Sequence, residues 1–285
     1  MGKPLAQGAR GVVALDPVAD LQRRLGRAGT DRARALWARH LRGAARARGV
    51  SAARVRELVR RWWLEHSLGE HPAAVGKRIA LALLEQPVAE DKLAGAMILH
   101  ELLGDQLRAG DLPAFARLFA AGHLADWYLV DWFAMNVLAA LLDRAPGRAE
   151  TARALAQWRL AGTTWQRRAA CLAFTRLAPH GDRAHPGLAE LVLLVCAVAV
   201  WSPERSDQTA VGWVLRELSR AEPARVEAFV WRYARLMSNE CARHAVAKLP
   251  RARRAALLAH HRRATSLSLG RPARTGRAPA GQRGD

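Results

Sequence analysis

Three short segments carry the residue types that could do chemistry. The first is Asp126-Trp127-Tyr128-Leu129-Val130-Asp131-Trp132. On a helix, Trp127 and Asp131 are four residues apart and share one face, which sets an indole beside a carboxylate. Read alone, the pair is better explained as a core indole and a solvated or arginine-paired acid. The second segment is Trp165-Gln166-Arg167-Arg168. Adjacent helical residues diverge by about 100°, so one arginine can face solvent and the other a groove. A phosphate contact and a surface ion pair explain it equally well. The third segment runs from Asp207 to Glu217 as DQTAVGWVLRE. Gly212 in a helix interior costs on the order of 1 kcal/mol relative to Ala. It implies close approach by another backbone or a ligand, and packing between helices is the commoner cause.

Helices must position these segments. Ala, Leu and Arg dominate, all good helix formers, while the β-favouring Tyr occurs twice. Pro72, Pro87, Pro113, Pro146, Pro179, Pro186, Pro203, Pro223 and Pro250 punctuate the chain. Between them apolar residues recur at helical spacing, as in Leu129, Trp132, Phe133 and Val137, or Ala210, Trp213, Val214 and Leu218. Helix starts are readable at Ser51, at Asp111 with Pro113 in the first turn, and at Thr163 or Thr164. The spacing predicts about a dozen helices of roughly 10–18 residues joined by short turns, an all-α solenoid of antiparallel pairs. No crisp repeat is visible, so the repeats are degenerate. Residues 1–12 are expected to be a flexible N-terminus and residues 13–264 a single helical domain. Residues 265–285, rich in Arg, Gly and Pro, are expected to be disordered.

Composition narrows the function. There are 45 Lys and Arg against 25 Asp and Glu, a formal net charge of +20. Codon bias can favour Arg over Lys, but it does not explain the shortage of acids. A strongly basic, arginine-rich chain fits nucleic acid, whose phosphates match guanidinium forks. Cys171, Cys196 and Cys241 lie in apolar helical contexts and are expected to be buried thiols in a reducing compartment. The ten His residues form no HExxH motif or His/Cys cluster, and no P-loop, GxGxxG or GxSxG string occurs. No metal and no cofactor are therefore expected. The apolar run from Leu191 to Trp201 falls well short of the ~20 residues that cross a bilayer. The protein is expected to be cytoplasmic, monomeric and without a membrane partner.

In order and spacing, Asp126–Asp131, Trp165–Arg168 and Val211–Glu217 resemble the motifs of the AlkD-like DNA alkylation repair enzymes. GWVLRE is the most distinctive piece, and the resemblance extends from about Asp31 to about Leu249. It implies an α-α superhelix of HEAT-like helix pairs with a concave basic groove for duplex DNA carrying alkylated bases. It also implies a glycosylase that excises cationic purines such as 3-methyladenine, 7-methylguanine and bulky N3 or N7 adducts, without a base-flipping pocket. Asp131 would be the catalytic carboxylate, with Trp127 and Trp213 flanking the deoxyribose. Arg168 would contact the DNA backbone, and Arg167, His40 and Arg216 are further candidates for DNA contact.

This chain departs from the family pattern at three places. His40 stands where a Tyr is expected, Ala47-Arg48-Gly49 replaces an FLG-like turn, and Thr209 replaces a Lys. Two other readings remain. One is a noncatalytic HEAT-like protein that binds branched or distorted DNA, which the changes at His40 and Thr209 favour slightly. The other is a protein–protein scaffold, which the charge of +20 opposes.

Overall fold

The computed structural model describes residues 16–41, 43, 45–143 and 147–269, with side chains through residue 266. The flexible N-terminus expected for residues 1–12 lies outside the described residues, as does the tail from residue 270. The described chain contains no named strand, and its elements are helices. The chain divides into two compact units, Met1–Phe174 and Thr175–Asp285.

The first unit comprises α1 (Pro17–Arg27), α2 (Asp31–Leu41), α3 (Ala52–Glu65), α4 (Ala73–Leu84), α5 (Ala89–Met97), α6 (Leu112–Ala120), α7 (Trp127–Trp132), α8 (Ala139–Leu142), α9 (Arg148–Gln157) and α10 (Thr164–Ala173). Side-chain caps fix several starts by occupying amide groups that the first helical turn leaves unbonded. Asp16 accepts from Val18 N, Ser51 from Arg54 N and Thr163 from Gln166 N. Asp111 is different: its carboxylate takes the Arg108 amide and the Lys77 ammonium, and α6 starts without a side-chain cap. Trp62, Leu83, Leu84, Leu93, Met97, Phe115, Phe119 and Phe133 form much of the core. Phe133 meets Phe115 and Phe119 edge-on at 5.3 and 6.1 Å, a favoured aromatic geometry. Two helices open into π turns, at Ile98–Leu102 after α5 and at Phe133–Leu138 between α7 and α8.

The Ala47-Arg48-Gly49 turn is anchored from α5. Glu90 is fully buried, and its carboxylate accepts from the backbone amides of Arg48, Gly49 and Val50. Asp91, also fully buried, takes the Arg48 guanidinium through both oxygens at 2.5 and 2.9 Å. Paired and hydrogen-bonded in this way, two buried acids avoid the large cost of isolated charges.

The second unit comprises α11 (Leu188–Ala199), α12 (Arg205–Leu218), α13 (Pro223–Tyr233), α14 (Asn239–Ala245) and α15 (Arg251–Leu269). Helix α12 packs against α11 and α14, and α13 packs against α15. α15 includes Thr265 to Leu269, the start of the region expected to be a disordered tail. All three cysteines are buried, as expected. Among the described residues, no helix is long and apolar enough to cross a membrane.

Candidate active site

Asp126 opens the acidic segment by capping α7, accepting from Leu129 N at 2.9 Å. The helix then places Trp127 and Asp131 on one face, where a single guanidinium touches both. Arg168 of α10 donates from Nε to Asp131 Oδ1 at 2.6 Å and from Nη2 to Oδ2 at 2.7 Å. Its Cζ lies 4.2 Å from the Trp127 ring centroid, within cation–π range. Trp165, three residues before Arg168, meets Trp127 edge-on at 5.7 Å. The ordinary reading of the acid as arginine-paired therefore holds, and the pairing is what builds the site.

Arg168 has 0% exposure. The guanidinium expected to contact the DNA backbone is enclosed in this structure, with Asp131 and Trp127 against it. The two adjacent arginines do diverge as helix geometry requires. Arg168 turns inward, while half-buried Arg167 donates to Ala161 O at 2.9 Å.

Asp131 is half-buried. Burial raises its pKa above the ordinary carboxylate value, and Arg168 pulls against that rise through hydrogen bonds and charge. Burial likewise raises Asp126, opposed by the Leu129 and Tyr128 amides and the nearby Lys92 ammonium. Lys92 is 6% exposed and donates to Leu84 O at 2.8 Å and His123 O at 2.6 Å, tying the turn before α7 to the end of α4. Its pKa is lowered by desolvation to about 8.

His40 is exposed, with Nδ1 2.8 Å from Leu36 O. Its ring meets Tyr128 edge-on at 5.5 Å, and Trp37 meets the same tyrosine at 5.0 Å. Tyr128 stands directly after Trp127, so an aromatic side chain from α7 lies against the position where the resembled family has a tyrosine. Tyr128 and Lys92 are the contributors that sequence reasoning missed. The first was visible as a second aromatic in the acidic segment, whereas the second gave no signal.

Trp213 lies in the second unit on α12 and is half-buried, with the His244 ring edge-on at 6.2 Å. Gly212 beside it has a packing cause. A Cβ there would lie 2.8 Å from the Cys241 carbonyl oxygen and 2.9 Å from His244 Cβ, so only glycine lets α14 come this close. Thr209 is buried and donates to Arg205 O at 2.8 Å, which turns its hydroxyl onto its own helix. Arg216 pairs with Glu217, which also holds Lys248. Among the described residues no group of three or more His, Cys, Asp or Glu stands close enough to hold a metal ion.

The similarities of the whole chain agree with these segments. A solved structure described as a predicted DNA alkylation repair enzyme from Enterococcus faecalis matches with a TM-score of 0.62 and 16% identity. The match covers 78% of this chain and 97% of that one, and at this identity it shows a shared fold. No curated protein matches the sequence. The family model of the DNA alkylation repair enzymes matches residues 21–249, which include all three motif segments, and the chain belongs to that family.

Proposed function

We propose that the protein is a DNA N-glycosylase that excises cationic alkylated purines from duplex DNA, opening base excision repair. Its substrates would be 3-methyladenine, 7-methylguanine and bulkier N3 or N7 adducts. The reading rests on Asp131, a half-buried carboxylate gripped through both oxygens by a buried arginine and set beside Trp127.

Alkylation at N3 or N7 makes the base cationic, so it departs as a neutral leaving group and needs no protonation. The remaining task is to stabilise a sugar with oxocarbenium character. A unit charge ~4 Å from a carboxylate gains about 1 kcal/mol in water and about 4 kcal/mol at an effective dielectric of 20. Burial of Asp131 therefore strengthens the effect, and preorganisation by Arg168 removes the cost of orienting the acid in the transition state. The bidentate grip uses one acceptor position on each oxygen, and the carboxylate has others with which to orient the attacking water. Trp127 carries the Arg168 guanidinium over one face, so the sugar would meet the other, adding about 0.5–2 kcal/mol. Arg168 acts in this scheme as a positioning residue. Trp213 enters by family resemblance as the second sugar-contacting indole, and Arg167, His40 and Arg216 enter as candidate backbone contacts. The chemistry requires no metal or cofactor, and the proposal includes a HEAT-like monomer acting in the cytoplasm.

The test is release of 7-methylguanine from a duplex by the wild type and by Asp131→Asn. The wild type is expected to release it and to leave uracil, a neutral base, in place. The variant should lose about 100-fold or more in rate while still binding duplex. Equal release of uracil, or undiminished release by the variant, contradicts the proposal. Binding by the wild type without any release selects the noncatalytic DNA-binding alternative.

A further inference from the structure

The family match ends at residue 249, and α15 (Arg251–Leu269) follows it. One side of α15 packs into the second unit through buried Leu257, His261 and Ala264. At about 100° per residue, Arg251, Arg262 and Arg263 fall within an arc of roughly 120° on the opposite side. All three are exposed, and among the described residues none forms an ion pair. The surface between them is low: Ala252, Ala255 and Ala256 are exposed, and no acidic residue occurs from 251 to 269.

A comparison with α3 shows how unusual this is. α3 is equally rich in arginine, but Arg54 pairs with Glu57, Arg56 and Arg60 with Glu101, and Arg61 with Glu65. On α15, Arg253 alone has such a partner, Glu227 at 3.0 Å. Arginines also crowd its first turn, where the helix dipole disfavours cations. The sequence continues the bias: from Arg251 to the end there are nine arginines and one acid, Asp285. On the described helix, Arg251, Arg262 and Arg263 thus face outward without a counter-charge, while its other side is anchored.

We propose that the outer face of α15 is a second duplex-DNA contact. It would grip the phosphate backbone without reading sequence and take no part in base removal. The inference rests on the reading that the protein acts on duplex DNA. Guanidinium forks match phosphate oxygens, and each phosphate neutralised releases condensed counterions. Small alanines let a backbone ribbon approach closely. A membrane surface fits less well, because an interfacial helix needs large apolar residues facing the lipid, and here Leu257 faces inward.

The experiment uses the full chain with Arg251→Gln, Arg262→Gln and Arg263→Gln combined. Affinity for an undamaged duplex is measured across salt from about 50 to 200 mM. With a slope of about 0.9 per phosphate contact, the log–log salt dependence should become shallower by about 2–3. Arg117→Gln with Arg153→Gln removes exposed, ion-pair-free arginines of the first unit and should leave the slope nearly unchanged. Equal thermal melting of variant and wild type shows that the packed side of α15 is intact. Release of 7-methylguanine at saturating protein should match the wild type. An unchanged slope in the triple variant overturns the inference. So does an equal loss per arginine in the control, which would mean that net charge alone matters. Loss of binding to anionic phospholipid vesicles with an unchanged DNA slope would assign the face to membranes instead. A shallower slope in a protein that never releases the base keeps this inference and removes the glycosylase reading.

Discussion

Trp127 and Trp213 share a residue type and a half-buried state, but different forces hold them. In the first unit Trp127 lies under the Arg168 guanidinium, and Asp131 takes that cation through two short hydrogen bonds. In the second unit a close fit between two helices lies beside Trp213. Gly212 admits the backbone of α14, and His244 meets the indole edge-on. The first arrangement turns on an ion pair, and the close approach of α14 to Gly212 turns on volume. Changes of charge should therefore damage the first unit and changes of size the second.

The largest effect is expected at Arg168. Arg168→Met keeps much of the bulk but leaves Asp131 half-buried without its counter-charge. Removing one partner of a buried pair costs about 3–5 kcal/mol, and protonation of the carboxyl relieves part of that. Thermal melting should fall accordingly. The pH dependence should move as well. Arg168 opposes the burial-driven rise of the Asp131 pKa, so its loss lets the pKa climb further. The acid limb of base release should then shift to higher pH, and Arg168→Lys should shift it less. An unmoved limb would mean that Arg168 does not set the ionisation of Asp131.

Gly212→Ala tests the other side of the comparison. The new Cβ would meet backbone at 2.8 Å, which a side-chain rotation cannot relieve. Overpacking of this kind costs about 1–3 kcal/mol. Because no charge changes, the loss in denaturant midpoint should be the same at mildly acidic and neutral pH. A strongly pH-dependent loss would show that the α12–α14 contact also relies on ionised groups.

Much of this contrast was legible in the sequence because it depends on local rules. Helical spacing put Trp127 and Asp131 on one face, small polar residues marked the starts at Ser51 and Thr163, and mid-helix Gly212 signalled a close approach. Long-range pairing was not legible. Arg168 and Asp131 are 37 residues apart, and helix geometry says that adjacent arginines diverge without saying which one turns inward. Three of the four residues in the run Ala89-Glu90-Asp91-Lys92 carry charge, yet all four are buried. Its acids are satisfied by the 48–50 turn, a partner about 40 residues away. Thr209 stands where the family pattern has a lysine, and the fold turns its hydroxyl onto Arg205 O.

Lys92 gives the smallest effect and the sharpest check on the role of charge. Its bonds to Leu84 O and His123 O hold the turn that leads into α7. Burial lowers its pKa from 10.5 to about 8, although Asp126, Asp91 and Glu85 favour the charged form. Between those two values the unfolded chain binds more protons than the folded one, so stability from this group rises with pH across the window. Above it the neutral amine still donates both hydrogen bonds and no longer carries the cost of a buried charge. Below about pH 8 the contribution is flat. Lys92→Met removes both bonds and the titration together. The stability difference between wild type and variant should therefore widen by on the order of 1 kcal/mol from neutral pH to about pH 9, read from urea midpoints. A constant difference would mean that the buried ammonium carries no penalty. The turn before Trp127 would then be held without a charge penalty, and the role of charge in the first unit would rest on Arg168 alone.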